Sequence, residues 1–252
     1  MCYNVEYLTK KAEEYGQRYS LDIASIQAVM TRLGTVNQVN AFLFPQLPVI
    51  WNDQQNVLSS ARWGLIPHWA SSEQKAKEIR SKTLNARAES IFDRPSYSKA
   101  IMDQRCILLL DGFFEYHHLG GKSFPFYIKR KDGSPMAIAA VYDRWNFKDK
   151  DGAMKSARTV SMITYQANPI LAQIHNKATL KAPRMPLILE NDTVKDWHQA
   201  KSKSDIQDFF QVFSEEKLTA HTVRTLPKSN YEKDNATIKE QVTYPVIGLP
   251  LF

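Results

Sequence analysis

Only two cysteines, Cys2 and Cys106, occur in 252 residues. That excludes a disulfide-stapled fold and predicts a reducing, cytoplasmic setting. No apolar run approaches the ~20 residues needed to span a bilayer, so no membrane association is expected. The N-terminus, MCYNVEYLTKKAEEYG, lacks the apolar stretch of a secretion signal. The nine glycines never gather into a phosphate-cradling loop, and neither CxxC nor HExxH spacing is present. No metal and no cofactor are therefore expected. Acidic residues are the scarcer charge, 26 against 33 Lys and Arg, which leaves a net charge of +7. This balance favours a polyanionic partner without requiring one.

What is present is ample for a packed core, with 43% apolar residues. Residues 4–34 read as helical, with Leu21, Ile26, Val29 and Leu33 near a 3.6 spacing and Gly34 as a C-cap. Residues 36–53 read as short strands around Pro45 and Pro48. Residues 61–66 read as a strand entering a Pro67-stiffened loop that exposes His68 and Trp69. A polar helix is expected over 71–80 and a short helix over 96–104. The clearest strand is RCILLLDGFFEY, residues 105–116, broken at Asp111-Gly112. Turns at LGGK and KDG place strands over 124–129 and 136–142 and make a meander. A strand over 157–164 leads to Asn168-Pro169, a good N-cap and first-turn pair. Further strands are expected over 186–189 and 219–226, with helices over 192–201 and 205–213. The pattern is α+β, a single domain with an antiparallel, barrel-like β core and peripheral helices.

Three residues stand out for chemistry. If the initiator methionine is removed, Cys2 carries a thiol and a free α-amine on adjacent carbons. Such a 1,2-aminothiol condenses with an aldehyde: the amine forms a Schiff base, and the sulfur then closes a thiazolidine ring. Glu115 sits among aromatics at the end of the buried strand, a setting suited either to acid–base work or to a structural salt bridge. His175, at a helix end beside Lys177, Lys181 and Arg184, is by itself most simply structural. Trp69, between Arg62 and Lys75, reads as partial core or as a base-stacking surface.

In this order, the segments resemble the SOS-response-associated peptidase (SRAP) family of abasic-site-shielding proteins. Met1-Cys2 matches the family's start. ARWGLIPHWA resembles its WGLIPxW segment, LNARAES its NARxE box, CILLLDGFFEY its central strand, and IH followed by RMPLIL its IHxRMPxIL box. The resemblance covers residues 1–226, with 227–252 as a C-terminal extension. It implies a catalytic set of Cys2, Asn85, Glu115 and His175. It also implies DNA contacts from Arg87, Arg62, Trp69 and Arg184. The implied activity is covalent crosslinking of Cys2 to abasic sites in single-stranded DNA, with peptidase action on its own N-terminus and an abasic lyase side reaction. The protein would be a monomer, nucleoid-associated when on DNA. The chain departs from the family pattern in three places. Cys2-Tyr3-Asn4 replaces Cys-Gly-Arg and loses an arginine that contacts DNA. Tyr116 replaces a tryptophan, and residues 177–183 are inserted after the IH pair. Two other readings share the same residues. One is a cysteine-type or N-terminal-nucleophile peptidase; the other is a non-catalytic module binding single-stranded DNA.

Overall fold

The computed structural model describes residues 2–179, 181–227 and 235–247, so Met1 and parts of the C-terminal extension lie outside the described residues. The first half holds β1 (Asn4–Tyr7), α1 (Ala12–Tyr19), α2 (Ile23–Leu33), β2 (Val36–Asn40), β3 (Gln46–Trp51), β4 (Gln54–Trp63), α3 (Glu73–Arg80), β5 (Asn85–Arg87), α4 (Ser98–Asp103) and β6 (Arg105–Leu110). The second half holds β7 (Gly112–Leu119), β8 (Lys122–Arg130), β9 (Met136–Lys148), β10 (Met154–Gln166), α5 (Pro169–Ile174), β11 (Arg184–Pro186), β12 (Ile188–Leu189), α6 (Val194–Gln199), α7 (Lys203–Gln207) and β13 (Leu218–Thr222). Helices and strands mix in one domain, so the fold is α+β.

The strands form two sheets. One runs β13–β8–β7–β1–β2, and the other runs β11–β10–β4–β3–β6–β9–β12. Because β9 also pairs with β10, the strands β10, β4, β3, β6 and β9 close into a ring. The ring is antiparallel except where β10 runs parallel to β4, and the short β5 adds a second parallel pairing to β10. β6 lies in the ring between β3 and β9, and all six residues of RCILLL are buried. Each aliphatic side chain there contributes roughly 1.5–3 kcal/mol of burial. The buried Arg105 guanidinium at its start caps two helices. It donates to the carbonyls of Ile101 (2.8 Å) and Met102 (2.6 Å) in α4, and to those of Trp197 (2.9 Å) and Ala200 at the end of α6. A cation at two helix C-termini satisfies orphan carbonyls and complements both dipoles.

Asp111 and Gly112 carry the chain from one sheet to the other. Asp111 is buried and accepts from the Thr9 backbone N–H (2.7 Å) and from the Tyr15 hydroxyl, while burial and the nearby Glu6 push its carboxyl up to about 6. At Gly112 a Cβ would lie 2.3 Å from the Tyr127 ring, so only glycine lets that ring pack on the backbone.

The continuous helix expected over 4–34 is not what forms. Asn4–Tyr7 is a buried strand, held between β7 and β2 by the pairs Asn4↔Phe114 and Asn4↔Asn40. The helical part is cut at Ser20, which adopts a left-handed φ of 55°. α2 then restarts with the Asp22 side chain capping the Ser25 N–H at 2.8 Å. The strand expected over 61–66 ends instead at Trp63. Gly64 has a φ of 104°, and a Cβ there would sit 2.5 Å from the Arg80 side chain. The strand expected over 186–189 is split at Leu187, which bonds to both Ile163 and Ala139 and so steps the chain from β10 to β9. Ile238, from the C-terminal segment, is buried against Phe114, Tyr127, Val223 and Leu226. Lys239 pairs with the buried Glu6 of β1.

Candidate active site

The four residues expected to be catalytic come from four elements and meet at the N-terminal end of β1. Cys2 precedes β1, Asn85 opens β5, Glu115 lies in β7, and His175 caps the C-terminus of α5. The pairs Glu6↔Gly112 and Asn4↔Phe114, continued one residue, set Tyr3 across from Glu115. That register is what brings the chain's first residues to the carboxylate. Cys2 is fully buried. Burial pushes its thiol well above the usual range, and the Glu115 carboxylate pushes it further the same way. Its Sγ contacts the Asn4 carbonyl at 3.7 Å.

β5 is three residues long, and its alternation does two jobs. Ala86 points into the core, while Asn85 and Arg87 point the other way, into a groove of about 690 Å³. Asn85 Nδ2 donates to the Cys2 carbonyl at 2.9 Å. Its Oδ1 is buried with no hydrogen-bond partner among the described residues. Burial raises the proton affinity of the neighbouring Tyr3 phenol, and its ring leans on Phe42 with centroids 5.0 Å apart.

Asn168 caps α5 by accepting from the Leu171 N–H at 2.9 Å, with Pro169 in the first turn as expected from the sequence. Six residues later α5 presents His175. Its Nδ1 sits 2.9 Å from the Arg184 carbonyl, which orients the ring. Its Nε2 then faces Glu115 Oε2 at 4.0 Å, with both side chains buried. Among the described residues no group of three or more His, Cys, Asp or Glu could hold a metal ion.

The four expected DNA contacts are less uniform. Arg87 and the half-exposed Trp69 line the groove. Arg184 also lines it, but is buried and committed. Its guanidinium makes a bidentate pair with Glu89 at 2.9 and 2.8 Å, and bonds the Thr164 carbonyl at 2.6 Å. Arg62 is exposed on β4, outside the groove lining; burial lowers the proton affinity of the nearby Arg80 guanidinium, and the Arg62 charge lowers it further. The groove adds Lys82, Arg94 and Tyr97, which the sequence reading did not single out. Glu89 was visible inside the NARAES segment, but its partner lies 95 residues away in sequence. No local signal joins the two.

The family model described as SOS response associated peptidase (SRAP) matches residues 1–228. Among curated proteins, the abasic site processing protein YoqW of Bacillus subtilis is 33% identical over 190 residues, 73% of this chain and 78% of its own length. The chicken abasic site processing protein HMCES is 27% identical over 58% of this chain and 46% of its own length. A crystal structure of a Bacteroides thetaiotaomicron protein superimposes with a TM-score of 0.85 at 35% identity, covering 96% of this chain and 100% of that one.

Proposed function

Because the chain belongs to the SOS response-associated peptidase family, we propose that it acts on abasic sites in DNA and crosslinks to them covalently through Cys2. The observation that carries this reading is the amide of Asn85. It bonds the Cys2 carbonyl at 2.9 Å and leaves a buried Oδ1 without a partner among the described residues. An unsatisfied buried acceptor costs about 1–3 kcal/mol. Once Met1 is removed, the new α-amine supplies a donor beside it, so Asn85 orients the amine for attack.

The balance of the reaction follows. The neutral Cys2 amine adds to the ring-opened sugar aldehyde and forms a carbinolamine. Loss of water, with a proton delivered to the departing hydroxyl, gives a Schiff base. The Cys2 sulfur then adds to the imine carbon, its proton passes to the nitrogen, and the thiazolidine closes. Glu115 carries these protons, and His175 assists from 4.0 Å. The raised thiol proton affinity fits an amine-first order. The mature amine is indispensable. Intact mass spectrometry should therefore find the active protein without Met1 and, after exposure to an abasic single-stranded oligonucleotide, heavier by one DNA strand. Full crosslinking by protein that still carries Met1 overturns the thiazolidine.

The DNA strand lies along the groove, with Arg87, Arg94 and Lys82 facing its phosphates and Trp69 offering a base a ring face. Arg62 extends the basic surface, and Arg184 supports it by holding Glu89 in place. Three to four phosphate contacts on a single strand predict a log affinity–log salt slope of about −2 to −3. Fluorescence anisotropy between low and physiological salt measures it. A flat salt dependence, or equal affinity for intact duplex, removes the single-strand reading.

A further inference from the structure

Glu115 and His175 belong to different elements, β7 and α5, and the ends of those elements are tied together. The ring Nδ1 of His117 lies 2.9 Å from the Gln173 carbonyl of α5. Facing a carbonyl, that nitrogen carries the hydrogen and donates it. Asn176, directly after His175, spans one residue of β7 with its amide. Its Oδ1 accepts from the His118 N–H at 2.7 Å, and its Nδ2 donates to the His118 carbonyl at 3.1 Å. A side-chain amide bonded to both groups of one strand residue does what a neighbouring antiparallel strand would do. β1 covers β7 only over Gly112–Phe114, so Asn176 engages β7 beyond the reach of that strand.

Position makes this tie consequential. Residues 177–183, which the resemblance to the family marks as an insertion, begin immediately after Asn176. Within α5 the His175 N–H bonds the Leu171 carbonyl at 2.8 Å, which fixes His175 to its helix but not to Glu115. The Arg184 carbonyl orients the His175 ring, and the contacts between α5 and β7 made by His117 and Asn176 flank the Glu115–His175 pair and hold the two elements together. On the reading of Cys2 given above, we propose that His117 and Asn176 are positioning residues. They clamp α5 to β7, hold the Glu115–His175 pair at its working distance, and insulate it from the insertion that follows. Neither touches the lesion.

The test is a time course of denaturation-resistant complex formation at increasing concentrations of an abasic single-stranded oligonucleotide. The protein is the full chain, lacking Met1. Asn176→Ala removes both bonds at an exposed position, and should lower the maximal rate about tenfold, since small misplacements of a reacting group act on this scale. The half-saturating DNA concentration stays at the wild-type value. His117→Phe keeps the ring against Phe126, 6.3 Å away, and loses only the Gln173 bond. It should slow the reaction by a smaller factor in the same direction. In a Glu115→Gln background, Asn176→Ala should cost nothing further, because the pair it positions is already broken. Wild-type maximal rates in both single variants overturn the clamp, and so does a full extra tenfold loss in the double variant. A shift in half-saturation with an unchanged maximal rate also overturns it, by making Asn176 a DNA contact. Those results leave the crosslinking reading standing. Failure of the wild-type protein to crosslink removes that reading, and the clamp with it.

Discussion

Cys2→Ser should turn a complex that survives heat and detergent into one that survives only after borohydride reduction. The serine α-amine still forms a carbinolamine and a Schiff base with the aldehyde. Its hydroxyl, however, closes only an oxazolidine, which reopens readily in water. Borohydride traps the Schiff base as a secondary amine, so a reduced sample shows the shifted band and an unreduced one does not. Cys2→Ala behaves like Cys2→Ser in the reduced lanes, because it too keeps the amine. Both variants should bind intact single-stranded DNA as the wild type does, since the groove residues Arg87, Arg94 and Lys82 are untouched. The wild-type reaction also has a pH signature. Burial and Glu115 hold the Cys2 thiol well above its usual range, so the thiolate fraction and the rate of ring closure climb through the alkaline range. Cys2→Ser lacks that alkaline rise. A serine variant whose unreduced complex resists denaturation as the wild-type complex does would show that sulfur is not in the bond.

The sequence made some of this architecture legible and hid the rest, for reasons that can be named. The Asp111-Gly112 break, the Asn168-Pro169 helix start and the Gly34 cap were readable because turn and cap chemistry acts within four residues. The strand at Asn4–Tyr7 was hidden because its evidence lies at a distance, in Phe113 and Phe114 on one side and Val39 and Asn40 on the other. The Asp22 cap that separates α1 from α2 was a local signal and could have been read. Ring closure through the parallel contact of β10 with β4 has no signature in either strand. The same holds for Arg105, which reads as the polar end of a strand until the carbonyls of Trp197 and Ala200 reach it. At the site, Glu115 was legible from its place at the end of a buried strand, whereas resemblance to the family supplied Asn85 and the expectation that His175 joins it. The spacing between Cys2 and Asn85, 83 residues, carries no geometric information until the sheets bring Cys2 and Asn85 together. The departure at Tyr3-Asn4 also gains a physical content. The Tyr3 ring packs on Phe42, and the Asn4 side chain is buried, accepting from Gln38 at 2.8 Å. Position 4 is therefore a structural residue in this chain.

Glu115→Gln should slow crosslinking by about 10²–10⁴-fold, the range that general acid–base catalysis commands. The substitution has two effects of opposite sign, and their balance is measurable. Glutamine cannot carry the proton needed to expel water from the carbinolamine, which slows Schiff-base formation. It also removes a negative charge that raises the Cys2 thiol's proton affinity, which favours the thiolate. The second effect is the smaller, because burial is the larger cause of the thiol shift and remains in place. The net result is a slower reaction whose alkaline rise begins at lower pH than in the wild type. A time course with a uracil-containing oligonucleotide treated with a glycosylase, run across the neutral and alkaline range, reads both quantities. His175→Ala tests the other end of the 4.0 Å pair. If the two groups share one proton path, the Glu115→Gln/His175→Ala double variant is no slower than Glu115→Gln alone. A fully additive loss places them on separate steps. A Glu115→Gln protein that folds normally and crosslinks at the wild-type rate makes Glu115 a structural partner of His175. Proton transfer would then belong to another group, or to solvent reaching the groove.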